Sequence, residues 1–153
     1  EMLHQEIAIL LSLQHPRVVS LVDVVEEPRS LGIVMELVEG GSLEGYIAAR
    51  GALAEAEASY VFAQLAEGLS YIHKRGIIHQ DLKPDNVLVD VAASRPGLPE
   101  VKLTDFGHSR VVDDHYGLFP ARVGTPLYRA PEVGGSASTG GHDCRADLWS
   151  LGV

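Results

Sequence analysis

Leu3, Ile7, Leu10, Leu11 and Leu13 recur at helical spacing and predict an opening helix that runs to about Leu13. His15-Pro16 then turns the chain, and the β-branched run Val18 to Val25 suits a strand. Pro28-Arg-Ser separates it from Leu31-Gly-Ile-Val-Met-Glu-Leu-Val38, whose apolar density predicts a second strand buried on both faces. Gly40-Gly41 breaks the chain ahead of a short helix around Leu43 to Ala49. From about Glu55 to Lys74, apolar Ala58, Val61, Leu65, Leu69 and Ile72 fall at steps of three and four, and Gly76 is placed to cap the helix they predict. Beyond it the pattern shortens. Ile77-Ile78, Val87-Leu-Val89 and Val101-Lys-Leu-Thr104 are brief β-like runs that read as small hairpins, with the Pro- and Gly-containing stretch Asp90 to Glu100 as a connecting turn. Gly107 to Ser138 carries few periodic signals and predicts an irregular loop. No internal repeat is present.

Both ends fall inside apolar segments. No capping residue precedes the first helix, and Asp147-Leu-Trp-Ser-Leu-Gly-Val153 stops in mid-run, so both termini are expected to be truncations. Apolar surface left uncovered at Glu6's helix and at Trp149 is then expected to make the isolated chain fold only marginally. Composition narrows the class further: 46% apolar and 22% charged residues are ordinary for a globular domain. A formal net charge of −9 disfavours nucleic acid as a partner, because duplex binding draws on clustered Lys and Arg, and it is compatible with basic protein substrates. Cys144 stands alone and can form no internal disulfide. No stretch approaches the roughly 20 apolar residues of a membrane span, nor does the start have a signal-peptide layout. A cytoplasmic or nuclear location is the expectation.

The chemistry-bearing residues cluster in two loops. His79-Gln-Asp-Leu-Lys-Pro-Asp-Asn86 lies between β-like runs, and Asp105-Phe-Gly107 follows about twenty residues on. Asp81, Lys83, Asp85, Asn86 and Asp105 thus set carboxylates, an ammonium and a carboxamide on adjoining loops at strand ends. Solvated turns rich in Asp, Asn and Pro would account for any one segment, but not for the whole.

These residues resemble the motifs of the eukaryotic protein kinases, and the likeness extends over essentially the full length. His79-Gln80-Asp81 matches the catalytic-loop motif, Asp105-Phe106-Gly107 the metal-binding motif, Ala130-Pro131-Glu132 the end of the activation segment, and Asp147-Leu-Trp-Ser-Leu-Gly the start of a buried helix. The resemblance implies an α+β, two-lobed kinase-like fold, present in part. Residues 1–38 would be a remnant of the small lobe and hinge, and 39–153 the N-terminal part of the large lobe. It implies Mg²⁺-assisted transfer of the γ-phosphoryl group of ATP to a protein Ser or Thr hydroxyl. Transferred phosphoryl groups spread charge over their oxygens, so positioning and fixed cations carry such a reaction.

By the same resemblance, Asp81 accepts a hydrogen bond from the substrate hydroxyl and later its proton, Lys83 places positive charge on the γ-phosphate, and Asn86 and Asp105 supply oxygen ligands for Mg²⁺. Thr125 is expected to hold Asp81 and Lys83 in place. Glu6 corresponds to the helix glutamate that pairs with a phosphate-gripping lysine. Met35 takes the gatekeeper position at the back of an adenine pocket, Glu36 and Val38 offer backbone groups to the adenine edge, and Leu88 forms the floor. Glu39 and Asp85 could meet a basic residue near the phosphoacceptor, and Asp85 also counts among the nucleotide-site residues. Lysine two positions after Asp81, with Gly124-Thr-Pro-Leu-Tyr-Arg-Ala-Pro-Glu132, looks like the Ser/Thr class. Met35 to Ser42 and Thr104 to Ser109 look like the calcium/calmodulin-dependent group and its checkpoint-kinase relatives.

Three departures qualify this. Gln80 stands where most of the family has Arg, whose role is to bind a phosphorylated activation loop, so activation by loop phosphorylation is expected to be weak or absent. The glycine-rich loop and the phosphate-gripping lysine lie outside the sequence, as does the remainder of the large lobe with the usual Arg partner of Glu132. The isolated piece is therefore expected not to turn over. A pseudokinase or scaffold that binds partners through the same fold is the alternative, and intact Asp81, Lys83, Asn86 and Asp105 argue against it. A small-molecule kinase would be expected to lack Ala130-Pro-Glu132 and the Asp147-Leu-Trp motif.

Overall fold

The computed structural model describes residues 2–112, 123–133 and 142–153, and the remainder of the predicted irregular loop lies outside that set. The chain begins with α1 (Met2–Ser12), followed by β1 (Leu21–Glu27) and β2 (Ser30–Met35), which pair antiparallel. Then come α2 (Leu43–Arg50) and α3 (Glu55–His73), the short β3 (Ile77–Ile78), a 3₁₀ turn over Pro84–Asn86, β4 (Val87–Arg95), β5 (Leu98–Leu103) and β6 (Arg110–Val111). A second 3₁₀ turn over Pro131–Val133 precedes α4 (Arg145–Leu151). The architecture is α+β, and the only sheets among the described residues are three two-stranded ones: β1–β2, β3–β6 and β4–β5.

α3 is the spine of the core. Its Val61, Leu65, Leu69 and Ile72 pack with Ile9, Leu10 and Leu13 from the α1 region and with Val87, Val89, Val101 and Leu103 from β4 and β5. Ala58 lies on the exposed side, and Glu57 is buried instead, because its carboxylate accepts a 2.6 Å hydrogen bond from the Tyr46 hydroxyl of α2. In α1, Ile9 takes the buried place that spacing gave to Leu11, which is 69% exposed. Gly68 lets α3 lie tightly on β5: a Cβ there would stand 3.0 Å from a Leu103 methyl. The helix itself ends at His73 with Lys74 as its cap, and Gly76, expected to be the cap, turns the chain two residues further on, its φ of +69° being a conformation that a residue with a Cβ disfavours.

Four sequence expectations change. The run Val18 to Val25 is divided, since Val18 and Val19 are buried against Leu103 of the β4–β5 hairpin and β1 itself begins only at Leu21. β2 ends at Met35 and is not buried on both faces: among the described residues it pairs with β1 alone, leaving Val22, Val25 and Val34 exposed. Ile77-Ile78 pairs with Arg110-Val111 rather than with the neighbouring Val87 run. Asp90 to Glu100 is no separate turn, because both strands continue through a register shift to a tight reversal at Pro96-Gly97, Gly97 having φ +72°.

A polar cluster fastens this hairpin to α3. Arg17 donates to Gln64 at 2.7 Å and forms a close ion pair with Glu100, Tyr60 donates to Glu100, and Gln64 bonds the Pro99 carbonyl and the Val101 amide. The hydrogen bonds from Tyr60, acting against burial, and those from Arg17 hold the Glu100 carboxyl below the usual carboxylate range. At the other end, Gly40 and Gly41 exchange backbone hydrogen bonds with Val89 at 3.0 and 2.9 Å. A Cβ on Gly40 would lie 2.1 Å from the Val89 carbonyl oxygen, so only glycine permits this approach.

Candidate functional site

The polar string from His79 to Asn86 is a loop between β3 and β4, and its carboxylate centre is Asp81, only 6% exposed. Oδ1 of Asp81 accepts from the Thr125 amide at 2.7 Å and from its hydroxyl at 2.8 Å. Oδ2 lies 3.0 Å from Lys83 Nζ and accepts from Asn86 Nδ2 at 3.1 Å. Lys83 Nζ also donates to Thr125 Oγ1 at 2.9 Å. Burial works to raise the Asp81 pKa, but the Thr125 hydrogen bonds and the Lys83 ammonium outweigh it, holding the carboxyl below its ordinary range. The result is an ionised, pre-oriented acceptor at neutral pH.

Asn86 sits at the end of the 3₁₀ turn with Pro84 at its start, and its Nδ2 is spent on the Asp81 backbone oxygen at 2.9 Å and on Asp81 Oδ2. That leaves the amide oxygen as the group able to ligate a cation. Asp105 follows the end of β5, exposed, with φ +62°, and its Oδ1 accepts from the Gly107 amide at 3.3 Å. The two are brought together by the hairpin: Val87 pairs with Leu103, and the Thr104 amide donates to the Asn86 carbonyl at 3.0 Å. Among the described residues no group of three or more His, Cys, Asp or Glu gathers to hold a metal ion. A carboxylate and a carboxamide oxygen nonetheless suit Mg²⁺, which keeps waters and takes its other ligands from phosphate.

Glu6 on α1 approaches this loop, its carboxylate oxygen lying 3.6 Å from where a Cβ on Gly107 would be. Burial, then the negative charge of Asp105, raise its pKa, against a lowering by His108. Met35 ends β2, and Leu88, on β4, forms an isolated antiparallel bridge with Ser42. The Glu36 amide is donated to the Ser20 carbonyl at 3.0 Å, so only its carbonyl remains free for a ligand edge. Its side chain accepts from the Ser20 amide at 2.8 Å and pairs with Lys102 at 2.6 Å, contacts that the sequence gave no reason to expect. Val38 is half-buried; Glu39 and Asp85 are exposed, and Asp85 takes no part in the cluster around Asp81.

Sequence reasoning placed Asp147 only at the start of a buried helix and missed its hold on the His79–Asn86 loop. Placed at the start of α4 and 1% exposed, it accepts from the His79 and Gln80 amides at 2.9 Å each and bonds His73 Nε2 at 2.8 Å. It therefore shapes the backbone immediately before Asp81. The available signal was a lone carboxylate inside an apolar run, Ala146-Asp-Leu-Trp. His79 itself is fully buried, its ring against Phe106 and its Nε2 3.0 Å from the Thr104 carbonyl, which ties the His79–Asn86 loop to the Asp105 loop.

The family model for the protein kinase domain matches residues 1–153. CBL-interacting protein kinase 24 of Oryza sativa subsp. japonica is 42% identical over 99% of this chain and 32% of its own length. Calcium/calmodulin-dependent protein kinase type IV of Homo sapiens is 38% identical over 97% of the chain and 30% of its length. A probable serine/threonine-protein kinase of Dictyostelium discoideum, fhkD, is 37% identical over 98% of the chain. The chain spans 21% to 32% of the length of these three relatives. With a family-model match over residues 1–153 and a polar loop folded around Asp81, the chain belongs to the protein kinase domain family.

Proposed function

We propose that this chain forms the catalytic loops of an ATP-dependent protein kinase acting on Ser or Thr hydroxyls. The observation that carries the reading is the closed hydrogen-bonded set of Asp81, Lys83, Asn86 and Thr125. Asp81, ionised and oriented by Thr125, accepts a hydrogen bond from the incoming hydroxyl and aligns its lone pair for in-line attack. Because its pKa is depressed, Asp81 acts mainly by orientation and takes the proton late, as bonding to phosphorus acidifies the hydroxyl. Lys83, already paired with Asp81, offers its remaining donor capacity to the phosphoryl oxygens. Asn86 through its amide oxygen and Asp105 through its carboxylate are the residues that would hold Mg²⁺. Held there, Mg²⁺ would offset the charge that develops on the phosphate oxygens of ATP, the phosphoryl donor. Met35, the Glu36 carbonyl, Val38 and Leu88 border the place for the adenine, and Glu6 is the carboxylate that a phosphate-gripping lysine would pair with.

The names of the relatives, which are serine/threonine-protein and calcium/calmodulin-dependent kinases, support a protein Ser/Thr substrate. The decisive experiment is phosphotransfer from labelled ATP to a mixture of Ser/Thr peptides by the full-length protein, beside its Asp105→Asn and Asp81→Asn variants. Incorporation in the parent and its loss in both variants is the expected result. Nucleotide binding without any transfer would instead favour a non-catalytic binding role.

A further inference from the structure

We propose that His142 is a positioning residue for this reaction. It holds the catalytic loop through Gln80 in a way that requires no phosphate. The inference rests on the kinase reading above and specifies how the loop is kept in its working shape.

Three segments meet at Gln80. Its φ is +69°, and its amide is held by Asp147 Oδ1 at 2.9 Å. Its carbonyl oxygen lies 2.4 Å from where a Cβ on Gly124 would be, so the returning end of the activation segment presses directly on it. Its side-chain Nε2 is 2.7 Å from Nε2 of His142, a residue 3% exposed. An amide nitrogen can only donate, so His142 accepts at Nε2 and is the neutral tautomer there. Asp81, the next residue, carries its carboxylate to Thr125, which lies one residue beyond Gly124. A displacement of Gln80 therefore moves the catalytic carboxylate.

The surroundings explain why a neutral side chain suits this position. The small cavity beside Gln80 is bordered by Arg129 and His142, and both oxygens of Asp147 are already spent on His79, Gln80 and His73. A cation at position 80 would stand close to the Arg129 guanidinium and would need an anion to balance it.

The sequence offers little to carry such an anion. Between Asp105 and Glu132 the only hydroxyl residues are Ser109, Tyr116, Thr125 and Tyr128. Ser109 is 1% exposed and donates its hydroxyl to the His79 carbonyl, while the Thr125 hydroxyl is engaged by Asp81 and Lys83. Neither serine nor threonine is thus free to be phosphorylated without dismantling the site. The Gln80–His142 bond makes the tie that a charged pair would otherwise make.

The test uses the full-length protein and its Gln80→Leu, His142→Leu, doubly substituted and His142→Asn forms. Steady-state kinetics and hydrogen exchange of residues 79–86 are measured on each. His142→Leu should lower kcat roughly tenfold, the scale of one buried hydrogen bond, with KM for ATP unchanged within about twofold. The double variant should be no slower than either single one, because both remove the same bond. His142→Asn, which can still accept from the Gln80 amide, should recover most of kcat. Treatment of the parent with a Ser/Thr phosphatase should leave its rate unchanged.

The proposal is overturned by full kcat in His142→Leu, by additive losses in the double variant, or by collapse of activity after phosphatase treatment. If the parent shows no phosphotransfer, the kinase reading fails on its own, and exchange decides this one. Faster exchange at residues 79–81 in His142→Leu supports the tie, and unchanged exchange removes it.

Discussion

Replacing Asp147 by Asn keeps the size and shape of the side chain but puts a donor where one acceptor oxygen stood. In the native structure Oδ2 serves both the His79 amide and His73 Nε2, whereas Oδ1 serves the Gln80 amide alone. The substituted amide therefore loses least by turning its nitrogen toward Gln80, which places two donors face to face in a site 1% exposed to water. One buried, charge-assisted hydrogen bond is lost and one N–H is left without an acceptor, a cost of about 2–3 kcal/mol. Gln80 then has less to hold it at φ +69°, a conformation about 1 kcal/mol unfavourable for a residue with a side chain. Its relaxation draws Asp81 away from Thr125. The expected outcome is an unfolding free energy lower by about 2 kcal/mol and a kcat reduced by at least about tenfold. KM for ATP should stay within about twofold, because Asp147 touches none of the residues assigned to the nucleotide. Denaturant unfolding and steady-state kinetics of the full-length protein measure both. An Asn variant that unfolds within about 0.5 kcal/mol of the parent and turns over at the parental rate would show that the loop is shaped by something else.

Thr125→Val removes the hydroxyl shared by Asp81 and Lys83 while retaining the backbone amide, and kcat should fall roughly tenfold or more; Thr125→Ser should restore it in the same assay. Gly40→Ala drives a methyl into the Val89 carbonyl and should cost about 2 kcal/mol or more in a thermal or denaturant melt, whereas Gly41→Ala, with φ +69° but open space around it, should cost about 1 kcal/mol. Asp81, Glu36 and Glu100 all have pKa values below their ordinary ones in the folded protein, so each contributes stability that is present above the unfolded carboxylate range and is lost as pH falls through the depressed folded value. Unfolding free energy should accordingly drop between about pH 5 and the acid limit, and Asp81→Asn should flatten part of that fall.

Much of the site was readable from the chain because its residues are close in sequence. Asp81, Lys83 and Asn86 lie on one loop between two β-like runs, and the run Val101 to Thr104 sets Asp105 at a strand end. The α3 helix was equally legible, since burial on one face imposes its period directly on the sequence. What escaped was long-range. Asp147 reaches back 68 residues to the His79 amide, and nothing near it in sequence reveals that partner. Strand pairing escaped for the same reason: Ile77-Ile78 has a suitable neighbour in the Val87 run, yet pairs with Arg110-Val111. The hairpin tip was misread because prolines and a glycine usually signal a loop, while here the Pro99 carbonyl is captured by Gln64 and the Glu100 carboxylate by Arg17 and Tyr60, so the strand persists through them.

Because Val87 and Leu103 are partners across one antiparallel ladder, Asn86 and Asp105, the residues proposed to hold a cation, lie just beyond the same rung of that ladder. Their separation is set by the pitch of a β-sheet, near the closed end of the core and far from Pro96-Gly97. Residues at the tip are thus free to lengthen, shorten or acquire a new binding surface over evolution without disturbing the spacing on which phosphate chemistry depends, whereas a slip of one residue at the base would turn both donors to the wrong side.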